Sequence, residues 1–163
     1  MAITITATKG NASANSYAAA GDADTYLNTI YGGSEWAGLS ADDKARLLIT
    51  ATKYLERLPV KYDKAAATQA LKFPVLNTSL DAATEGDGFT EAKEACILQA
   101  LYLLTNSDAI QEALNSGIQG TQSESLSSVS KSISGFNQMR KWHPDVLKLL
   151  SKFFDFSLKS NRY

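Results

Sequence analysis

Thr90-Glu91-Ala92-Lys93-Glu94-Ala95-Cys96-Ile97-Leu98-Gln99-Ala100-Leu101-Tyr102-Leu103-Leu104 is the stretch that decides the fold. Thr90 is placed to cap a helix, and Glu91 and Glu94 put carboxylates in its first turns, where the helix dipole favours them. From Ala95 onward almost no polar face remains. A helix that is apolar around most of its circumference is buried on several sides, so this segment is expected at the centre of a helical core.

Towards the N-terminus, Ser40 starts a second helix. Its hydroxyl can cap, and Asp43 three residues on gives a capping box with a shortened acid. Leu47, Leu48, Ala51, Tyr54, Leu55 and Leu58 then recur at spacings of three and four, one apolar stripe that Pro59 stops. Trp36 is expected to pack under the start of this helix. An earlier helix is predicted from Ala19 to Tyr31, with Tyr26, Leu27 and Ile30 on one face and Gly32-Gly33 ending it. Ile3-Thr4-Ile5-Thr6 alternates and predicts a short strand, and Ala65 to Leu71 predicts a short helix before Phe73-Pro74.

Beyond the central stretch, Ser107 caps a predicted helix running to about Leu114, and Asn115-Ser116-Gly117 ends it. Residues 118–137 are rich in serine and glycine, a linker composition. Within them, however, Ser128-Val129-Ser130-Lys131-Ser132-Ile133-Ser134 alternates with period two, and this favours an extended arm. Pro144 stands at a first helical position with Asp145 behind it, and Val146, Leu147, Leu150, Phe153 and Phe154 form an apolar stripe. The expected fold is mainly α. Residues 1–117 would form a small helical bundle, 118–137 an extended β-arm or hairpin, and 138–163 a C-terminal helix with a basic tail; with that last helix the count is about four to five.

A chain of 163 residues with 44% hydrophobic content suits one domain with its own core. Cys96 is the single cysteine, so no intrachain disulfide can form, and its apolar setting predicts a small buried hydrophobe. Residues 1–20 lack the apolar centre of a secretory signal, and no run is long enough to span a membrane, so a soluble protein from a reducing compartment is expected. The net charge of −1 argues against a constitutively basic nucleic-acid binder. It is unevenly spread: residues 1–118 hold nine basic and fourteen acidic side chains, whereas 119–163 hold seven basic and three acidic. Two ends that meet different partners would explain this polarity, and so would two ordinary solvated faces.

Catalytic constellations are missing from the pattern. His143 is the lone histidine and reads as a helix-start residue, with no His/Cys cluster at ligand spacing and no nucleophile motif beside it. Asp81, Glu85 and Asp87 lack the spacing of a calcium loop and read as a solvated turn. Asp22/Asp24, Asp42/Asp43 and Glu91/Glu94 fall near helix starts, where capping and dipole effects account for them. The expectation is no catalytic residue, no cofactor, no metal and no enzyme. Arg140-Lys141-Trp142-His143 sets cations beside a ring able to stack on a base, although Trp142 directly before a helix also suits a packing staple.

The strings Asn15-Ser16-Tyr17, Ala23-Asp24-Thr25-Tyr26-Leu27, Trp36, Leu39-Ser40, Ala51-Thr52-Lys53-Tyr54-Leu55 and Gln69-Ala70-Leu71-Lys72-Phe73-Pro74 are spread over residues 14–74. In this order the chain resembles the head–tail adaptor proteins of tailed bacteriophages, also called head-completion or connector proteins. Many of these carry the label DnaT-like single-stranded DNA-binding protein. The likeness is best over 14–104 and continues more loosely to the last helix. Two departures are visible: Val75 stands where relatives have arginine after the proline, and Tyr62-Asp63 where many have a Trp-x-Gly element.

The resemblance implies a virion protein that forms a dodecameric ring beneath the portal, extending the DNA channel and joining the capsid vertex to the neck. Its partners would be copies of itself, the portal protein and a neck or tail-completion (tail-terminator) protein. Double-stranded DNA would pass without specific binding, with no membrane involved and synthesis in the host bacterial cytoplasm. On this reading Arg140, Lys141, Trp142, Phe153, Phe154, Phe156, Lys159, Arg162 and Tyr163 would dock on the portal, and Leu126, Val129, Lys131 and Ile133 would reach a neighbouring subunit. The alternative is a DnaT-like replication module that binds single-stranded DNA. Salt-dependent DNA binding by the isolated protein would favour that alternative.

Overall fold

A computed structural model of the chain describes residues 2–76, 86–107 and 142–154. Among them are five α-helices: α1 (Ala20–Leu27), α2 (Ser34–Ala37), α3 (Ala41–Leu55), α4 (Phe89–Thr105) and α5 (Pro144–Leu150). A 3₁₀ turn, Ser151–Phe153, follows α5. No strand occurs among the described residues, only the isolated bridges Val60–Phe154 and Lys64–Val75. The mainly helical expectation therefore holds. The predicted arm at 118–137 and the helix after Ser107 lie outside the described residues.

The stretch quoted first does occupy the centre. Nine residues of α4 between Ala92 and Leu103 are buried, and α1, α2, α3 and α5 all pack against this helix. The α3 face is built from Ala45, Leu48, Ala51, Thr52 and Leu55, at helical spacing. Small side chains let α3 and α4 approach closely: Thr52 Oγ1 lies 3.3 Å from Cys96 Sγ, and that thiol reaches the Leu48 carbonyl at 3.5 Å. Burial pushes the Cys96 thiol up from its ordinary value and leaves it neutral.

Several starts and stops differ from the sequence reading, each for a local reason. Helix α3 begins as expected, with Ser40 Oγ accepting the Asp43 N–H at 3.2 Å. By contrast, α4 starts one residue before Thr90. Gly88 is its N-cap at φ +75°, and the Asp87 carboxylate takes the Phe89 N–H at 3.2 Å. A Cβ at position 88 would sit 2.7 Å from the Phe73 ring and 2.8 Å from Phe153, so glycine is required for space as well as for backbone conformation.

Ile3–Thr6 is not a strand. Its backbone is bound by side chains: Asp42 accepts the Ile3 N–H, while Asn15 accepts the Thr6 N–H and donates to the Thr4 carbonyl. The helix expected at 65–71 is likewise absent. Gln69 is buried there and takes over the backbone bonding, accepting from Ala66 N–H and donating to the carbonyls of Leu71, Lys72 and Pro74. An amide side chain has thus replaced the helical ladder.

The short strings of residues 14–74 meet in space. Tyr17 is fully buried; its N–H donates to Thr52 Oγ1 at 3.2 Å, its hydroxyl donates to the Glu56 carboxylate, and the Phe73 N–H donates back to that hydroxyl at 3.2 Å. Glu56 also accepts the Lys72 N–H at 3.0 Å. Burial, reinforced by Glu56, holds the phenol far above its ordinary value, so Tyr17 remains the donor.

The acidic pairs have split roles. Asp22 accepts the Ala19 N–H at the start of α1, and Asp43 stays with Ser40. Asp24 does not cap. It binds Trp36 Nε1 at 2.7 Å and Lys44 Nζ at 2.8 Å, joining α1, α2 and α3. Trp36 is accordingly buried beneath the start of α3.

Two outcomes are expected. Tyr17→Phe keeps the ring but removes the oxygen that joins Glu56 to the Phe73 amide; stability in urea should fall by about 2–3 kcal/mol, the worth of a buried bond to a charged acceptor. Asp24 is held below the ordinary carboxylate value by the Lys44 bond first and the Trp36 bond second. A depressed folded-state value stabilises above the unfolded value and is lost as pH falls through the folded one. Urea titrations on the acid side of pH 4 should therefore show a shallower loss of stability for Asp24→Asn than for the parent chain.

Candidate functional site

Of the residues singled out for docking, Trp142, Phe153 and Phe154 fall within the described structure. Arg140, Lys141, Phe156, Lys159, Arg162 and Tyr163, and the arm residues Leu126, Val129, Lys131 and Ile133, lie outside it. Phe153 and Phe154 do not form an exposed aromatic face. They are buried, with Phe153 edge-on to Phe73 at 5.3 Å and to Tyr62 at 6.4 Å. The stripe Val146–Leu150–Phe153 faces the core because the turn after α5 returns the chain inward, where the Lys61 N–H donates to the Phe153 carbonyl at 3.0 Å.

Trp142 is half-buried, and its ring meets Tyr54 edge-to-face at 5.7 Å. Tyr54 lies on the outer face of α3, also half-buried, with the Arg57 guanidinium 5.3 Å from its centroid. Lys53 stands four residues before Arg57 and is exposed. A second cation–aromatic pair follows along the chain, with Lys61 Nζ 4.9 Å from the Tyr62 ring. Lys53, Arg57 and Lys61 are all exposed and have no ion pair among the described residues.

Electrostatics reinforce this face. Residues 53–72 hold five basic side chains against two acidic ones, inside the half of the chain that is acidic overall. Glu56, placed between Lys53 and Arg57 in sequence, turns its carboxylate inward to Tyr17 and the Lys72 amide. Lys64 and Lys72 spend their ammonium groups on backbone carbonyls of Gln69, Ala70 and Leu58. What remains exposed without an ion pair among the described residues is Lys53, Arg57 and Lys61, with Arg57 and Lys61 each against a half-buried ring.

Elsewhere the chemistry is plain. An open groove of about 560 Å³ is lined by Tyr26, Glu94, His143, Asp145 and Lys148. The Tyr26 hydroxyl donates to Glu94 at 2.6 Å, and burial together with that bond pushes the phenol up to about 12. His143 caps α5, its Nδ1 accepting the Asp145 N–H at 3.2 Å. No group of three His, Cys, Asp or Glu side chains converges among the described residues, and no described helix is long and apolar enough to cross a membrane.

The sequence reading found Trp142 through its neighbours Arg140 and Lys141. It missed Tyr54, which had been counted only in the apolar stripe of α3. A usable signal was present in the spacing Lys53, Arg57, Lys61, Lys64, with rings at 54 and 62.

These features define a helical protein whose distinctive surface is a ring pair framed by cations. The family described as "Putative DnaT-like ssDNA binding protein" matches residues 1–162, and the chain belongs to that family. No curated protein and no solved structure matches the chain. The family description corrects the expectation of a portal-bound connector: it points to a single-stranded DNA-binding module, the alternative that the sequence also offered.

Proposed function

We propose that this protein binds single-stranded DNA through the surface formed by Lys53, Tyr54, Arg57, Lys61 and Trp142. The observation that carries the reading is the Tyr54–Trp142 pair, with the Arg57 guanidinium against the Tyr54 ring. Single strands expose both a charged backbone and unstacked bases, and surfaces that take them combine aromatic faces with a cationic track. Every base has a π-face, so such contact tolerates sequence variation. Half-burial suits the rings to this role: packing fixes their orientation and leaves part of each ring exposed to solvent. The family's own description supports the same ligand.

Each element has a separate role. The rings would stack on bases, and the ammonium and guanidinium groups would replace counterions on phosphates. Arg140 and Lys141, directly before Trp142 in sequence, add cations to the same end of the chain. Binding alone is asked of this surface; no group on it is required to transfer a proton or act as a nucleophile.

Fluorescence anisotropy with a labelled oligothymidine should show binding that weakens with salt. Three phosphate contacts predict a slope of about −2 in log affinity against log salt, from roughly −0.7 per contact on single strands. Trp142→Ala should cost about 1–3 kcal/mol with that slope unchanged, because stacking releases no counterions. Replacing Arg57 by Gln should instead flatten the slope. Absence of binding at low salt would rule out the proposed function.

A further inference from the structure

We propose that Gln99 is the positioning residue of the aromatic surface: it touches neither base nor phosphate and sets Trp142 against Tyr54 through the backbone of His143. The proposal rests on the single-stranded DNA reading for its ligand but on separate geometry for its mechanism. Gln99 interrupts the apolar run of α4 and is fully buried. A buried amide is tolerated where its polar atoms are bonded, so its presence marks a specific partner. Oε1 of Gln99 accepts the His143 N–H at 3.0 Å, joining positions 44 residues apart.

One turn along the same face of α4, Tyr102 meets the His143 ring at 6.1 Å and 90°. His143 is therefore gripped twice by α4, at its backbone by Gln99 and at its ring by Tyr102. Its Nδ1 meanwhile caps α5. Trp142 is the next residue towards the N-terminus, and its ring has Tyr54 as its aromatic neighbour. Fixing the His143 amide fixes the direction in which the chain enters α5, and hence where the indole falls. An apolar side chain of similar size at 99 fills the same space but offers the amide no acceptor.

The test uses the full chain labelled with 5-fluorotryptophan, which carries two reporters. Trp36 sits in the core and reports on the fold, whereas Trp142 reports on the surface; Trp142→Phe assigns the two ¹⁹F resonances. In Gln99→Leu the Trp142 resonance should move towards its solvent-exposed position while the Trp36 resonance stays in place. Affinity for oligothymidine should fall about tenfold, the loss of one base stack. A stationary Trp142 resonance overturns the proposal. Movement of both resonances also overturns it, because Gln99 would then be an ordinary core residue. So does unchanged affinity when the Trp142 resonance has moved. If the parent chain binds no oligothymidine, the proposed function falls, yet the two resonances still decide whether Gln99 holds the indole.

Discussion

One buried phenol oxygen joins three remote segments of this chain. The Tyr17 hydroxyl donates to Glu56 at the end of α3 and accepts from the Phe73 amide, while the Tyr17 amide is held by Thr52. Each of these groups would otherwise carry an unmet polar demand in a core that excludes water. Their mutual satisfaction fixes the irregular N-terminal segment and the 60–76 loop onto α3 without any strand. It also explains why so much non-helical backbone can coexist with a small helical core. Asn15 and Gln69 do the same work at either side, each replacing regular pairing with a side-chain amide.

That arrangement shapes the outer surface as well. Because Glu56 is committed inward, the cations on either side of it in sequence keep no acidic neighbour on the helix face. Tyr54, two residues before Glu56, points outward from the same turn of α3 and meets Trp142. The interior network and the proposed binding face are thus opposite sides of one helical segment. A carboxylate whose sequence position suggests a neutralised surface instead leaves that surface positive.

Much of this was legible from residue patterns. The apolar girdle of 95–104 marked the central helix, Ser40 and Asp43 marked the start of α3, and Pro144 marked the start of α5. The failures share a cause. Thr90 looked like a cap, but Asp87 with the left-handed Gly88 satisfied the end of the helix first. Ile3–Thr6 alternated like a strand, and Ala65–Leu71 had helix-forming composition, yet side-chain bonds claimed the backbone groups in both places, from Asp42 and Asn15 in the first and from Gln69 within the second. Hydrophobic period and helix propensity do not report which polar side chain will bond to a backbone group. Phe153 and Phe154 illustrate the converse: near a basic tail they suggested an exposed face, but the turn after α5 folds them into the core. Tyr54 was hidden for a subtler reason, since a ring within an apolar stripe gives no sign of which edge remains wet.

The close seam between α3 and α4 has a further implication. Thr52 and Cys96 touch at its midpoint, two residues from Tyr54 on one helix and three from Gln99 on the other. Small side chains on both helices, Ala51 and Thr52 on α3 and Ala95 and Cys96 on α4, keep this seam narrow. Volume added at this seam would wedge the helices apart from within, leaving every exposed residue unaltered.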